Sequence, residues 1–328
     1  MTVEIKTSTL EPVRQTFANL ERRFGDKPAS RYQEATYDLQ AEINFHYRPL
    51  WQPDKELNDR SRTAVAMADW YDLKDPRQFY YGTYVQQRAK MQEQAENNYS
   101  FFEKRGLPEH LSDAVKASLV RHLIPLRHVE HTANLNNVYG CSIGFGTSIT
   151  QALLFNGMDR LGIAQYLSRI GLILDGNSGD LLTQAKQLWM QDPIWQGMRA
   201  LCEKTLTVQD WFETFIAQDL VIDTLVFELF YVQYDQWLNA NGAQDVGMLT
   251  EFMREWNRDN SRWIDSVLKT AVAESDANKA LLGQWLNDWR GRVAEALAPV
   301  AQELCGGTAS LADALLALDK RTAKLGLS

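Results

Sequence analysis

The chain has 328 residues, 45% of them apolar, and a formal net charge of -8. That is enough for one large domain or two medium ones with a sizeable core. The acidic balance argues against a general nucleic-acid binder, which needs clustered Lys and Arg to meet phosphate. The most apolar run, Leu220–Val232, is interrupted by Asp223 and Glu228, which excludes a helix crossing a membrane.

The N-terminal residues, MTVEIKTSTLEPV, lack the basic-then-apolar layout of a signal peptide. The three cysteines, Cys141, Cys202 and Cys305, are odd in number and far apart. Both features predict a reduced, cytoplasmic protein. Residues 1–60 have weak periodicity. The stretch from Tyr47 to Asp54 sets two prolines around aromatic residues, so an extended arm is expected there. Such an arm either lies on its own domain or wraps a partner.

Helical patterns dominate from Ser61 on. Asp75-Pro76 reads as a helix start, and an amphipathic run follows from about Arg77 to Arg105, ended by Gly106 and Pro108. The next helix spans about Leu111–Tyr139, with a kink expected at Pro125. The glycines of GCSIGFG (Gly140, Gly144, Gly146) suggest a helix break or a close crossing. No strand precedes them and no Lys-Ser/Thr follows, so a phosphate loop is the poorer reading. Further helices are predicted at about Ser148–Leu174, Leu181–Met190, a shorter one from Asp192-Pro193, Val208–Asn239, Met248–Ala273, Asn278–Leu304 and Ser310–Ala323. The helix after Val208 is apolar nearly all round in its second half, which marks an enclosed position. No strand pattern competes. The expected fold is all-α, with the arm at 1–60, a helical domain at 61–307 and a short C-terminal helix within 308–328.

Two long helix pairs, about 77–139 and 208–273, raise the possibility of a di-iron bundle. Such a site needs one Glu from each of two helices and a Glu-x-x-His from each of the other two. All five histidines, at 46, 110, 122, 128 and 131, precede the second pair. The residues three positions before them are Ile43, Leu107, Leu119, Pro125 and His128, none of them a carboxylate. The paired motif is therefore missing from the whole chain. His128 and His131 share a helix face, but Glu130 is expected to point elsewhere, so both read as packed histidines. Asp223 and Glu228 read as structural acids bonded to neighbours, and the cysteines as small core residues.

Throughout its length, including HYRPLW at His46–Trp51, the sequence resembles the β subunit of the hydroxylase of bacterial multicomponent monooxygenases, with phenol hydroxylase as the nearest kind. In that family the catalytic α subunit carries Asp-Glu-x-Arg-His on two helices. The corresponding stretches here are taken as Ile124–His128 and Asp259–Trp263, which put Pro125 and Asn260 in the Glu places and Trp263 in one His place. The resemblance implies a ferritin-like bundle with no catalytic residue and no metal. Pro125, His128, Asn260, Trp263 and Glu228 would be vestigial ligand positions, with Glu93 or Glu96 at a fourth helix. It also implies that His128 meets Asp259 in the core, that Trp263 fills space vacated by metal, and that His46, Tyr47 and Trp51 of the arm contact a partner.

The assembly implied is a dimer of αβγ heterotrimers, with di-iron in α, a regulatory protein, and a reductase bearing flavin and iron–sulfur groups. Together they would hydroxylate phenols to catechols with dioxygen and electrons from NADH. The alternatives are a self-sufficient di-iron oxygenase or ferritin-like iron protein, and an unrelated all-α interaction protein.

Overall fold

A computed structural model describes residues 18–25, 27–40 and 52–327. Every regular element among them is helical. The main helices are α1 (Tyr81–Lys104), α2 (Leu126–Ile143), α3 (Thr147–Leu174), α4 (Asp180–Gln191), α5 (Pro193–Thr205), α6 (211–240), α7 (Glu251–Glu274), α8 (Asp276–Gly307) and α9 (Leu311–Ala323). The described part of the expected arm is partly helical, with short helices at Ala18–Phe24 and Arg31–Glu34. There Arg23 lies 4.8 Å above the Tyr71 ring and is held between Asp38 and Asp69. The residues of HYRPLW lie outside the described region, and with them the predicted contacts of His46, Tyr47 and Trp51.

Helix starts follow local chemistry. Asp192 accepts the Ile194 N–H with Pro193 in the first turn, Asp210 accepts from Phe212 and Glu213, and Ser275 and Ser310 cap α8 and α9. Cys305, Gly306 and Gly307 end α8 in left-handed conformations. Before α2 the chain passes through a π-type turn, Leu119–Leu123, and then Ile124-Pro125. The predicted disturbance at Pro125 therefore begins one turn earlier, and Pro125 sits where a helix start tolerates it.

The glycines at the α2–α3 junction serve both a break and a close crossing, because a Cβ on Gly140 would fall 3.0 Å from Leu153 of α3. A Cβ on Gly144 would fall 2.6 Å from the Gly140 carbonyl, and Gly146 has φ +93°. The two helices turn back on one another through this break. Asn134 donates to the Gly157 carbonyl at 2.7 Å, and Asn156 donates to Asn137 at 2.8 Å. The tight pair is thus α2 with α3. The expected partnership across 77–139 is not the main one, because α1 leans instead on α7 and on the turn before it.

α6 runs through the middle, with π-type segments at Ile216–Ile222 and Phe227–Gln233, and is almost wholly buried from Trp211 to Val226. α7 turns back from it, and α8 packs along α5 and α6. An extended strap crosses the end of the bundle before α1. The backbone N–H groups of Ala64, Ala66 and Ala68 donate in turn to Asp210, Asn278 and Glu274, at 2.7, 3.1 and 2.7 Å.

Candidate functional site

Four helices converge on one guanidinium. Arg160 of α3 has a side chain only 3% exposed, which is tolerable for a charge only with close counter-charges. Glu130 of α2 accepts from Nη1 at 3.1 Å. Asp223 of α6 accepts a short hydrogen bond from Nη2, and Asp219, one turn earlier, stands 3.6 Å away. The Trp256 ring of α7 lies 4.1 Å from the guanidinium carbon, within cation–π range.

Around the acids is a layer of side-chain amides. Gln218 donates to Asp223 at 2.9 Å, Asn136 donates to Gln218 at 3.0 Å, and Asn137 and Asn156 donate to Asp219 at 3.1 and 2.8 Å. Beside the guanidinium is a cavity of about 10 Å³ lined by Glu130, Arg160, Ile163, Asp223, Tyr231 and Trp256. The Tyr231 hydroxyl, the Trp256 Nε1 and the Arg160 Nε are buried there without hydrogen-bond partners.

Three carboxylates around one guanidinium leave an excess of negative charge. Burial raises the Glu130 carboxyl above its usual range, opposed by Arg160, and pushes Asp219 up to about 6, opposed by Arg160 and by the two asparagines. Both acids therefore favour the protonated form more than they would in water.

A second ion pair flanks this centre. Arg88 of α1 grips Asp159 through Nε and Nη2 at 2.9 and 2.8 Å, the Tyr84 hydroxyl donates to the same carboxylate at 2.9 Å, and Arg88 stands 3.5 Å from Asp259. Arg77, paired with Asp75 at 2.9 Å, donates to Asn260 at 3.2 Å and lies 5.2 Å from the Trp263 ring. Trp263 is fully buried and edge-on to Phe215.

The expected bond between His128 and Asp259 is corrected by this geometry. Asp259 faces Arg88, while the His128 ring stacks on Trp189 of α4, 5.4 Å between centroids, with its Nε2 unpartnered. His128 borders an open surface groove with His131, Ala164 and Leu172. α2, which follows the π-type turn and Pro125, presents Glu130 to the centre and His128 to α4. Glu130 points away from the face that His128 and His131 share, towards Arg160. His122 bonds Ser118, which also meets Tyr234. Glu228 is only half-buried and lies outside the cluster, with burial raising its carboxyl. Glu93 and Glu96 are exposed, Glu96 pairing with Arg169 at 2.7 Å. Pro125 is buried and does not line the cavity beside Arg160.

The residue that the sequence reading missed is Arg160. Its signal was a lone Asp159-Arg160 pair within the apolar run Ile149–Leu174, at the helical position that a core residue would occupy. Among the described residues no group of three or more His, Cys, Asp or Glu is placed to hold a metal ion.

A profile describing methane, phenol and alkene hydroxylases matches residues 51–275. The chain belongs to that hydroxylase family. It is 58% identical over 328 residues to the phenol 2-monooxygenase oxygenase component MhpL of Acinetobacter pittii, covering 100% of this chain and 98% of that protein. It is 25% identical over 285 residues to the hydroxylase subunit beta of a toluene-4-monooxygenase system from Ectopseudomonas mendocina, covering 82% and 86%. The crystal structure of phenol hydroxylase from Pseudomonas sp. OX1 superposes with a TM-score of 0.94 at 48% identity and covers 99% of both chains. The fold is accordingly the ferritin-like helical bundle, and the chain is a component of a multicomponent monooxygenase. No helix among the described residues is long and apolar enough to cross a membrane.

Proposed function

We propose that the chain is a non-catalytic structural subunit of a di-iron phenol hydroxylase and supports a separate catalytic α subunit. The observation that carries this reading is Arg160. A guanidinium occupies the meeting point of α2, α3, α6 and α7, where a di-iron bundle needs carboxylates and imidazoles on four helices. The donor set does not fit iron. It offers three acids already engaged by a fixed cation and no histidine. Arg88 bridges Asp159 towards Asp259, so the neighbouring acids are held by a guanidinium as well.

The outer face supports a docking role. Leu135 and Val138 on α2, and Leu154, Met158 and Leu161 on α3, are each at least 40% exposed. Their spacing of three or four residues forms an apolar stripe on each helix, and the Val138 side chain reaches Gly157 of α3. Exposed apolar stripes of this kind mark protein contacts, and this pair of helices would seat the α subunit. The remaining roles are proposed by family membership. The complex would be a dimer of αβγ heterotrimers in the cytoplasm, with a regulatory protein and a flavin and iron–sulfur reductase, and would convert phenols to catechols with dioxygen and NADH. The chain itself would hold no cofactor.

Iron analysis of the purified isolated chain tests the central point. Essentially no iron is expected, and about two irons per chain, the complement of a di-iron bundle, would overturn the reading in favour of a self-sufficient oxygenase or iron protein.

A further inference from the structure

We propose that the core cavity beside Arg160 is a built site for one water molecule, which ties α3, α6 and α7 together through Arg160, Tyr231 and Trp256. The site belongs to this chain's own core and stands whether or not the chain is a metal-free subunit.

Two independent observations point to it. The first is an unfinished set of hydrogen bonds. The Arg160 Nε, the Tyr231 hydroxyl and the Trp256 Nε1 have no partner, and their residues are 2%, 5% and 4% exposed. All three residues line one cavity, each from a different helix. Native cores leave few polar atoms unpaired, and three around a single space call for a shared partner. The second observation is the size of that space. Its volume is about 10 Å³, and a cavity needs roughly 10–15 Å³ on this measure to hold one water. Cavities that stay dry are apolar. Here Glu130, Arg160, Asp223, Tyr231 and Trp256 interrupt an apolar wall of residues such as Val129 and Ile163.

The chemistry of the wall selects the occupant. Nη1 and Nη2 of Arg160 are committed to Glu130 and Asp223, which leaves Nε as the free edge of the guanidinium. The indole of Trp256 is held against that guanidinium at 4.1 Å. Guanidinium and indole N–H groups donate and offer no lone pair, whereas the tyrosine hydroxyl can donate or accept. A cation would compete with Arg160 for the same acids and would stand beside N–H groups that cannot ligate it. An anion would lie against Glu130 and Asp223. Water accepts through its lone pairs and donates through its protons, so it serves the N–H groups and the acids together. It also completes the hold on Arg160, because the acids take the two terminal nitrogens and the water takes Nε. With two to four polar partners within reach, such a water is fixed as part of the structure.

The test uses the full chain and Tyr231→Phe, which removes one hydroxyl and keeps the ring. A wet and a dry cavity respond with opposite signs. If water is bound, the variant loses a hydrogen bond, and its melting temperature should fall by roughly 2 °C. If the cavity is dry, the variant sheds an orphaned hydroxyl, and its melting temperature should hold or rise. A high-resolution crystal structure of wild type gives the direct readout. One isolated peak is expected in the cavity, about 2.7–3.2 Å from at least two of the three unpaired atoms. A bromide soak should leave the cavity without anomalous signal. An empty cavity, a bromide peak, or a Tyr231→Phe variant that melts at or above wild type overturns the proposal. Iron found in the wild-type chain would defeat the metal-free reading separately, without touching this outcome.

Discussion

Arg160 and His128 lie on neighbouring helices of one hairpin and meet opposite fates. The guanidinium cannot shed its proton, so burying it brings Glu130, Asp219 and Asp223 with it. The imidazole can become neutral. Burial first, then Arg127, His131 and Lys186, lower its pKa to about 4, and it stacks on Trp189 with no counter-ion. A permanent charge organises the core around itself, whereas a titratable one accommodates to an apolar neighbour. The residue that looked like a metal ligand is thus peripheral, and the one that resembles no ligand occupies the centre.

This contrast can be broken by substitution. Arg160→Met should cost about 3–5 kcal/mol at pH 7.5, because three buried acids lose their cation. The cost should be smaller at pH 4.5, where Glu130 and Asp219, both raised by burial, retain protons. Urea unfolding at the two pH values measures both, and equal costs would show that charge is not the cause. Next in size is Asp159→Asn. It weakens the grip of Arg88 and Tyr84 and should cost about 1–3 kcal/mol in the same assay.

The pH profile sharpens the contrast from the other side. The folded pKa of His128 lies below its ordinary value of 6.5, so its contribution is present above pH 6.5 and is lost as pH falls towards 4. His128→Gln should therefore flatten the acid limb of a stability profile, and an unchanged slope would contradict the neutral, stacked ring. At pH 7.5, His128→Phe should cost less than about 1 kcal/mol, and a double-mutant cycle with Asp259→Asn should show coupling near zero. The smallest effect on stability, within about 0.5 kcal/mol, is expected from Leu154→Lys with Met158→Lys on the exposed face. That variant should nevertheless fail to co-purify with the catalytic subunit, and retained assembly would move the docking face elsewhere.

The helices were legible because periodicity, caps and glycine breaks are local. Asp192-Pro193, Ser310 and Cys305-Gly306-Gly307 mark their boundaries in the sequence much as they do in the fold. The missing Glu-x-x-His was legible because it is an absence along the whole chain. Helix rotation was not. The π-type turn at Leu119–Leu123 leaves no plain mark in composition, yet the rotation of the helix that follows it decides which face of α2 meets the centre. Glu130 and His128 are two residues apart, so an error of half a turn exchanges their roles. Arg160 was hidden for a related reason: its partners lie 30 and 63 residues away, on other helices.

The strap at Ala64–Ala68 has a consequence for the order in which the molecule is built. Its three amides find their acceptors on Asp210, Asn278 and Glu274, all made long after the strap leaves the ribosome. A segment synthesised early must therefore wait for the ends of α6, α7 and α8 to come together before it can dock. Its protection from a protease should therefore report that these three helix ends, and not merely the first hairpin, have come together.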